Sequence, residues 1–191
     1  MLNFNGKLIP RSELNINYQN RAFKYGDAVF DTLKYEKGIQ YIENHYFRLM
    51  SSMRLLRMKI PMKFTLQFYT DEIIKTIVKN NLQDKARVRV TVFRKDGGLY
   101  TPYSNEIDFI IETVELKCIS NKKYEIELFK DFPIQSGLLS TIKTNNRIIN
   151  VLSSIFAKEN SYDNCILLNE KKNIVEMSNA NIFLVFGIYK K

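Results

Sequence analysis

The sequence predicts an α+β (α/β) protein of two domains, with a small α/β domain over residues 1–133 and a second domain over residues 134–191. Three observations predict this class: hairpin signals open the chain, two segments with helical spacing of apolar residues follow, and strand patterns rich in β-branched residues come next. A loop that contains Pro133 and Gly137 separates this run from a further helix and hairpin. We place the domain boundary in that loop.

The composition is that of a globular protein. The 191 residues are 45% hydrophobic and 13% aromatic, and seven glycines and four prolines are too few for linkers or low-complexity tracts. No stretch approaches the roughly 18 to 20 apolar residues that span a bilayer, and the N-terminus has no signal-peptide pattern. We therefore expect a cytoplasmic protein with no membrane partner.

The charge pattern and the cysteine and histidine content argue against nucleic-acid and metal sites. The formal net charge is +9, but the lysines are scattered and form no basic stripe with interleaved aromatic residues. Nucleic-acid binding is therefore not expected, although a basic nucleic-acid-binding module stays open as an alternative. Cys118 and Cys165 lack metal-ligand spacing and are interpreted as buried apolar residues, and His45 is the only histidine.

Two hairpins are predicted near the N-terminus. Residues 2–9 alternate around Asn5-Gly6, the strongest short hairpin signal. Residues 28–35 form the next predicted strand, and a turn at residues 36–38 leads to a partner strand at residues 39–42.

A polar-aromatic loop over residues 21–27 is expected between the hairpins. A helix should follow the second hairpin, with Asn44 as its N-cap. Its apolar stripe has i, i+4, i+7 spacing and consists of Leu49, Met53 and Leu56.

A second helix is predicted over residues 65–80, and three strands follow it. They are expected at residues 87–94, 106–116 and 123–130, where β-branched residues are frequent. These elements complete the predicted first domain.

The second domain is predicted to contain a helix, a hairpin and a last strand. The helix follows Lys143, and its expected apolar face consists of Ile148, Leu152, Ile155 and Phe156. The hairpin pairs residues 165–170 with residues 173–176, and the last strand covers residues 181–186.

Lys143 and Glu176 are the most informative candidates for chemistry. A lysine attacks an aldehyde only as the free amine, and we expect Lys143 to lie just before a helix N-terminus, whose positive dipole end favours that form. Glu176 lies in a strand pattern among apolar neighbours, where a carboxylate needs a partner such as a protonated pyridine ring. Each residue taken alone also fits an ordinary solvated position.

Three further side chains are candidates for anion binding. Arg48 and Arg54 lie on the first predicted long helix, and a guanidinium there could hold a phosphate in bidentate fashion. Arg94 ends a strand beside a glycine turn, where it could receive a substrate carboxylate. Surface positions explain helix arginines equally well on spacing alone.

Taken together, these segments resemble the class IV pyridoxal-phosphate-dependent aminotransferases, which include branched-chain aminotransferases, D-amino acid aminotransferases and aminodeoxychorismate lyases. The matching motifs are Asn5-Gly6, residues 21–32 (RAFKYGDAVFDT), residues 45–49 (HYFRL), Lys143 with its asparagines, and residues 176–183 (EMSNANIF). The resemblance covers almost the whole chain in order and spacing.

The resemblance implies the roles of the cofactor residues. Lys143 would be the Schiff-base lysine of pyridoxal 5'-phosphate (PLP) and the acid/base that moves a proton during transamination. Glu176 would keep the pyridine nitrogen protonated, and Arg48 would hold the cofactor phosphate.

The resemblance also implies the substrates and the assembly. Tyr25, Phe30 and Thr32 would line the pocket for an amino acid and a 2-oxo acid, with Arg94 as a candidate for the carboxylate. The fold would be that of a two-domain fold type IV PLP enzyme, usually a homodimer. Family members continue beyond residues 181–183 into further barrel strands, so the barrel-like second domain is expected to be incomplete.

The subfamily signals conflict. Branched-chain enzymes carry a tyrosine soon after the lysine, where this chain has Asn146-Arg147-Ile148, a pattern more like the lyase. Phe30-Asp31-Thr32 also departs from the Phe-Glu-Gly of branched-chain enzymes. We rank PLP-dependent transamination first; lyase-like elimination of pyruvate and a catalytically inactive truncated relative are the alternatives.

Overall fold

A computed structural model describes residues 1–117, 123–185 and 187 of the chain. The strands are β1 (Leu2–Phe4), β2 (Lys7–Ile9), β3 (Ala28–Glu36), β4 (Lys85–Arg94), β5 (Ile107–Glu115), β6 (Ile126–Ile134), β7 (Asn164–Asn169) and β8 (Ile174–Met177). The α-helices are α1 (Arg21–Tyr25), α2 (Ile42–Leu55), α3 (Leu66–Lys79) and α4 (Ile148–Glu159).

The chain divides into two compact units. The first contains Met1–Ile119 and Ile142–Asn145, and the second contains Ser120–Thr141 and Asn146–Lys191. This division differs from the boundary predicted after residue 133, because β6 pairs with β7 and therefore belongs with the second unit.

The first unit is built on a five-stranded antiparallel sheet in the order β2-β1-β5-β4-β3. The predicted first hairpin is confirmed, and Asn5 and Gly6 take φ values of 53° and 90°, as a tight hairpin turn requires. The predicted strands at residues 87–94 and 106–116 are confirmed as β4 and β5.

One face of this sheet carries the hydrophobic core. Along β4, Val88, Val90 and Val92 are fully buried in a core that also contains Leu49 and Met53 of α2 and Ile73 and Ile77 of α3. Side chains alternate across a strand, so the residues between the valines lie on the opposite face of the sheet. The helices therefore cover one face and leave the other for polar residues.

The second unit has a three-stranded sheet in the order β6-β7-β8. Strands β6 and β7 are parallel, and α4 lies between them in the chain, whereas β7 and β8 form the predicted antiparallel hairpin. Its core consists of Phe129, Ala157, Cys165 and Leu167. In the described part of both units, no helix combines the length and the apolar character needed to cross a bilayer.

The structure corrects three predictions in the first unit. Residues 39–42 form no strand, because a single bridge from Tyr35 to Ile39 is followed at once by α2. The N-cap of α2 is Tyr41, and Asn44 lies inside the helix. The loop predicted at residues 21–27 contains the short helix α1, whose N-cap Asn20 accepts a hydrogen bond from the Phe23 amide.

Helix α3 agrees more closely with its prediction. Its N-cap is Thr65, whose hydroxyl accepts a hydrogen bond from the amide of Phe68 at 3.2 Å. This cap supplies one of the acceptors that the first turn of a helix needs, so the local sequence is sufficient to start the helix there.

The structure also corrects the second unit. Ile148 and Ile155 were predicted to face inward along α4, but their side chains are exposed, and Leu152 and Phe156 pack on the core instead. Residues 181–185 form no strand, and Phe186 and Cys118 lie outside the described residues. Cys165 is buried, as predicted.

A buried charge cluster holds the loop after β4 in place. The carboxylate of Asp27 accepts from Arg21 at 2.8 Å and from Arg94 at 2.9 Å, and both guanidiniums are almost fully buried. Arg21 also donates to the carbonyl oxygens of Gly97 and Leu99, at 3.1 and 2.6 Å. Asp27 therefore pairs with both of the cations that organise this end of the sheet.

Replacing Asp27 by Asn removes the charge that both arginines need. We expect the free energy of unfolding to fall by about 3 kcal/mol, because a buried ion pair that loses one partner leaves an uncompensated charge. Urea denaturation followed by circular dichroism measures this loss. Glu106→Gln is the matched control, since the pair of Glu106 with Lys95 is exposed to solvent and contributes little to stability. Equal losses in both variants would contradict the prediction.

Candidate functional site

Lys143 lies on a short extended segment that pairs with β3. The amide of Phe30 donates to the Lys143 carbonyl at 2.8 Å, and the amide of Asn145 donates to the Ala28 carbonyl at 3.0 Å. Ile142 is buried in the core of the first unit, so its neighbour Lys143 points to the opposite side of the extended chain. The segment is thus anchored by both backbone and core.

Lys143 does not occupy the helix start that the sequence suggested. Helix α4 begins at Ile148, its N-cap is Arg147, and both belong to the second unit. Four residues therefore separate Lys143 from the first residue of α4.

Two cations meet the ring of Phe30. The guanidinium carbon of Arg89 lies 3.6 Å from the ring centroid, and Nζ of Lys143 lies 5.9 Å from it. Arg89 also donates to the side-chain oxygen of Asn145 at 3.2 Å and to the Thr91 hydroxyl at 3.2 Å. A lysine amine, an arginine and an aromatic ring are therefore gathered on the polar face of the sheet.

Arg89 is a residue that the sequence reasoning missed. The signal was present, because the alternation of valines at residues 88, 90 and 92 puts the intervening residues on the other face. The pattern could not show that the guanidinium of Arg89 stacks on the ring of Phe30, which lies on the neighbouring strand β3.

Thr32 and Tyr25 have different surroundings. Thr32 is half-buried and directly opposite Arg89 in the β3–β4 register, two residues along β3 from Phe30. Tyr25 ends α1 and packs against Tyr100, with ring centroids 5.6 Å apart. Thr32 thus belongs with the lysine cluster, and Tyr25 belongs with the loop that follows β4.

Arg94 is a structural residue in this fold. Its guanidinium is almost fully buried, it donates to Asp27, and it also reaches the carbonyl of Leu56 at 2.7 Å and Asn105. A guanidinium that already has a carboxylate and several carbonyl partners is not available for a substrate carboxylate. The environment of Arg94 therefore does not support the predicted role.

Arg48 forms a bidentate ion pair with a buried carboxylate. Its Nε and Nη2 donate to the two oxygens of Asp31, at 3.0 and 2.6 Å, and Nδ1 of His45 lies 3.1 Å from Nη2. Nearly half of the Arg48 side chain is exposed, whereas Asp31 is 1% exposed. Within the described residues nothing accepts from Nη1, which leaves one amino group of Arg48 for an anion.

The pKa of Asp31 is set by opposing effects. Burial by itself raises the pKa of Asp31. The hydrogen bonds and charges of His45 and Arg48 lower it, and together they outweigh burial, so the pKa lies below the ordinary value of 3.8. Asp31 is therefore ionised across the neutral range and holds Arg48 by charge as well as by geometry.

Glu176 lies on β8 in the second unit and is held by two donors. Arg147 donates to Oε1 at 3.2 Å, and the side-chain amide of Asn150 donates to the same oxygen at 3.0 Å. Asn150 also donates to the Ser178 carbonyl at 3.1 Å. Both of these hydrogen bonds go to Oε1. Among the described residues no group donates to Oε2, so this second carboxylate oxygen can still accept a hydrogen bond.

Comparisons with a family model and with known proteins agree on one family for this chain. Residues 28–187 match the family described as amino-transferase class IV. A predicted branched-chain-amino-acid aminotransferase of Methanocaldococcus jannaschii is 26% identical over 95% of this chain and 64% of its own length. An aminodeoxychorismate lyase of Vibrio harveyi is 25% identical over 87% of this chain and 62% of its own length.

A solved structure supports the same fold. The branched-chain amino acid aminotransferase of Escherichia coli superposes with a TM-score of 0.81, over 93% of this chain and 62% of that one. Its sequence identity is 21%, so the likeness concerns the fold alone. This chain spans less than two thirds of the length of each of these relatives.

The low pKa of Asp31 predicts an acid-dependent loss of stability. A carboxyl group whose pKa falls on folding contributes stability above its unfolded value near 3.8, and that contribution disappears as the pH drops through the folded value. We expect the free energy of unfolding of Asp31→Asn to decrease less than that of the native chain between about pH 5 and pH 2. Urea denaturation across this range measures both slopes.

Asp71→Asn is the control for the loss of one negative charge. Asp71 is exposed on α3 and accepts from Gln67, so Asp71→Asn removes one negative charge without breaking an ion pair among the described residues. If Asp31→Asn and Asp71→Asn gave the same slope, the ion pair of Asp31 would not be its origin.

Proposed function

The chain belongs to the class IV aminotransferase family, whose fold type IV architecture it shares in part, and on this premise we propose that it acts in PLP-dependent transamination between an amino acid and a 2-oxo acid. The observation that carries the proposal is the position of Lys143. Its segment is paired with β3, and both its amine and the guanidinium of Arg89 lie close to the ring of Phe30. An amine beside a cation suits a reaction between an aldehyde cofactor and an anionic substrate.

Three residues offer the chemical groups that PLP binding would need. Nζ of Lys143 would hold the cofactor covalently, Nη1 of Arg48 would donate to its phosphate, and Oε2 of Glu176 would accept from its protonated pyridine nitrogen. Asp31 neutralises part of the charge on Arg48 and fixes its fork, and Asn150 orients Glu176. When bound, PLP supplies an electron-withdrawing ring that stabilises negative charge next to the substrate nitrogen.

Lys143 has a second role in this proposal. In its neutral form, Nζ would act as the base that moves a proton to and from the substrate Cα. Because the carbonyl of Lys143 and the amide of Asn145 are hydrogen-bonded to β3, the amine would move mainly by rotation of its own side chain. The backbone from which the Lys143 side chain extends is therefore held in place by β3.

We assign the substrate carboxylate to Arg89 instead of Arg94. Arg89 is partly exposed, stacks on Phe30 and lies 3.9 Å from the exposed carboxylate of Glu112, whereas Arg94 is buried and donates to Asp27 at 2.9 Å. Phe30 and Thr32 would line the pocket beside Arg89, and Tyr25 would approach the substrate from the loop region. A charge-assisted hydrogen bond from a stacked guanidinium gives a carboxylate both affinity and orientation.

Elimination of pyruvate, as in the related lyase, is the second candidate. The observation that favours it concerns the sequence after Lys143, which has Asn146-Arg147 where branched-chain enzymes carry a tyrosine. Arg147 donates a hydrogen bond to Glu176. Incubation with aminodeoxychorismate alone would test it, since elimination would release pyruvate from this one substrate, whereas turnover by transamination needs a 2-oxo acid acceptor. Assembly as a homodimer is part of the proposal and is tested by sedimentation equilibrium.

Lys143→Ala tests the cofactor assignment. We expect the native chain to shift the absorbance of added PLP, and borohydride reduction followed by peptide mass mapping to locate the adduct at Lys143. The variant should lose both signals, because no other amine would have the same surroundings. Lys158→Ala, which removes an exposed lysine of α4, is the control and should behave as the native chain does. An adduct on scattered lysines, or none, would contradict the assignment for this chain.

Arg89→Gln tests the substrate assignment. We expect the amino acid concentration that gives half of the spectral change of bound PLP to rise by about tenfold or more, because one charged hydrogen bond is lost. PLP affinity itself should change little, which distinguishes a substrate contact from loss of folding. Arg87→Gln, on the same face of β4, is the matched control. Equal effects of the two substitutions would argue against a specific role for Arg89.

A further inference from the structure

The turn between β1 and β2 carries a chemically labile dipeptide that the site described above does not use. Asn5-Gly6 is the only Asn-Gly pair in the chain. In such a pair the backbone nitrogen of glycine, which no Cβ hinders, attacks Cγ of the asparagine side chain. A succinimide ring forms, the side-chain amino group leaves as ammonia with the proton of the glycine amide, and water then opens the ring to aspartate or isoaspartate.

The groups that would react are all hydrogen-bonded in the folded turn. The amide of Gly6, the nucleophile, donates to Oδ1 of Asn3 at 2.8 Å. The side chain of Asn5, the electrophile, accepts from the amide of Phe109 at 2.8 Å and donates from Nδ2 to Oδ1 of Asp108 at 2.8 Å. Before the ring can form, this side chain must turn away from β5 and towards Gly6. The attack therefore breaks all three hydrogen bonds.

The turn is held by α3 as well as by β5. Asn3 is fully buried, and its Nδ2 donates to Oε2 of Glu72 at 2.6 Å. Lys75 donates to the Gly6 carbonyl at 2.6 Å. Asn5 itself is exposed, and β2 is a three-residue strand at the edge of the sheet, so the turn can open while the rest of the sheet stays folded.

The product of the reaction does not fit the turn. Nδ2 of Asn5 is a donor 2.8 Å from the carboxylate of Asp108, and deamidation replaces this donor by a second carboxylate oxygen. Like charges that face each other across neighbouring strands are destabilising. Isoaspartate also adds a carbon atom to the main chain, which changes the pairing of β1 with β2. Either product therefore weakens the attachment of the hairpin to β5.

We propose that Asn5 is a deamidation site that the folded turn protects, and that its deamidation loosens the β1–β2 hairpin from β5. Each of the three hydrogen bonds favours the closed turn by about fivefold. The folded chain should therefore react on the order of a hundredfold more slowly than the unfolded chain. The proposal does not depend on Lys143 or on PLP, so it succeeds or fails independently of the proposed transamination.

Deamidation rates of the folded and the unfolded chain test the protection. The chain is incubated at mildly alkaline pH with and without guanidinium chloride, and the mass of the peptide that contains Asn5 is followed by mass spectrometry. Incubation in water labelled with oxygen-18 marks the product that forms during incubation and separates it from product formed during digestion. Equal rates in the folded and the unfolded chain would overturn the proposal.

Asp108→Ala removes one acceptor of the Asn5 side chain. In the folded chain this variant should deamidate about fivefold faster, while its rate in the unfolded state stays that of the native chain. Glu115→Ala, which removes an exposed carboxylate from the same strand, is the matched control and should leave both rates unchanged. Ile77→Val lowers the stability of the core and should also leave the rate in the folded chain unchanged, because the turn opens locally.

Asn5→Asp reproduces the charge of the product. Its equilibrium constant for unfolding in urea should be about fivefold larger than that of the native chain, and amide hydrogen exchange in residues 2–9 should be faster. Adding Asp108→Asn supplies a donor to the new carboxylate and should recover most of the loss.

Three results would contradict the proposed role of the turn. The first is a folded Asp108→Ala chain that deamidates no faster than Glu115→Ala. The second is a faster rate in Ile77→Val, which would mean that deamidation follows global unfolding. The third is an Asn5→Asp chain as stable as the native chain, which would mean that the product leaves the hairpin attached to β5.

Discussion

The pairing of residues 142–145 with β3 is the constraint on which the functional part of this protein depends. Two backbone hydrogen bonds and the burial of Ile142 attach a segment from late in the chain to the first sheet. Because side chains alternate along an extended chain, burial of Ile142 directs Lys143 to the face that carries Phe30 and Arg89. Main-chain geometry and core packing therefore position the lysine.

Two buried carboxylates organise the charged residues around this sheet. Asp27 is held between Arg21 and Arg94, and Asp31 is held by Arg48 with His45 beside it. In the first cluster all three side chains are largely buried, so the charges serve the fold. In the second the guanidinium is nearly half exposed and, among the described residues, one of its amino groups has no acceptor, so the same kind of pair leaves an exposed donor on an oriented arginine.

Local sequence was sufficient where one residue or one short pattern decides the structure. The hairpin at Asn5-Gly6 and the start of α3 at Thr65 follow from turn and cap chemistry that neighbours supply. Local sequence was insufficient where contacts with residues far away in the chain decide the structure. Residues 39–42 have strand-like composition but form only the bridge from Tyr35 to Ile39 before α2 begins at Ile42. Ile148 and Ile155 have helical spacing but face outward, because the small sheet of the second unit meets only part of α4.

The site shows the same division. The sequence by itself determined the family, the identity of Lys143 and Glu176 as its candidate chemical groups, and the position of Arg48 on a helix, since motif order and spacing are properties of the chain. Only the tertiary structure decided that Arg94 is internal and that Arg89 meets the ring of Phe30. The reason is physical: a guanidinium's role depends on which carboxylates, carbonyls and rings surround it, and those neighbours come from strands and loops that the linear pattern does not connect.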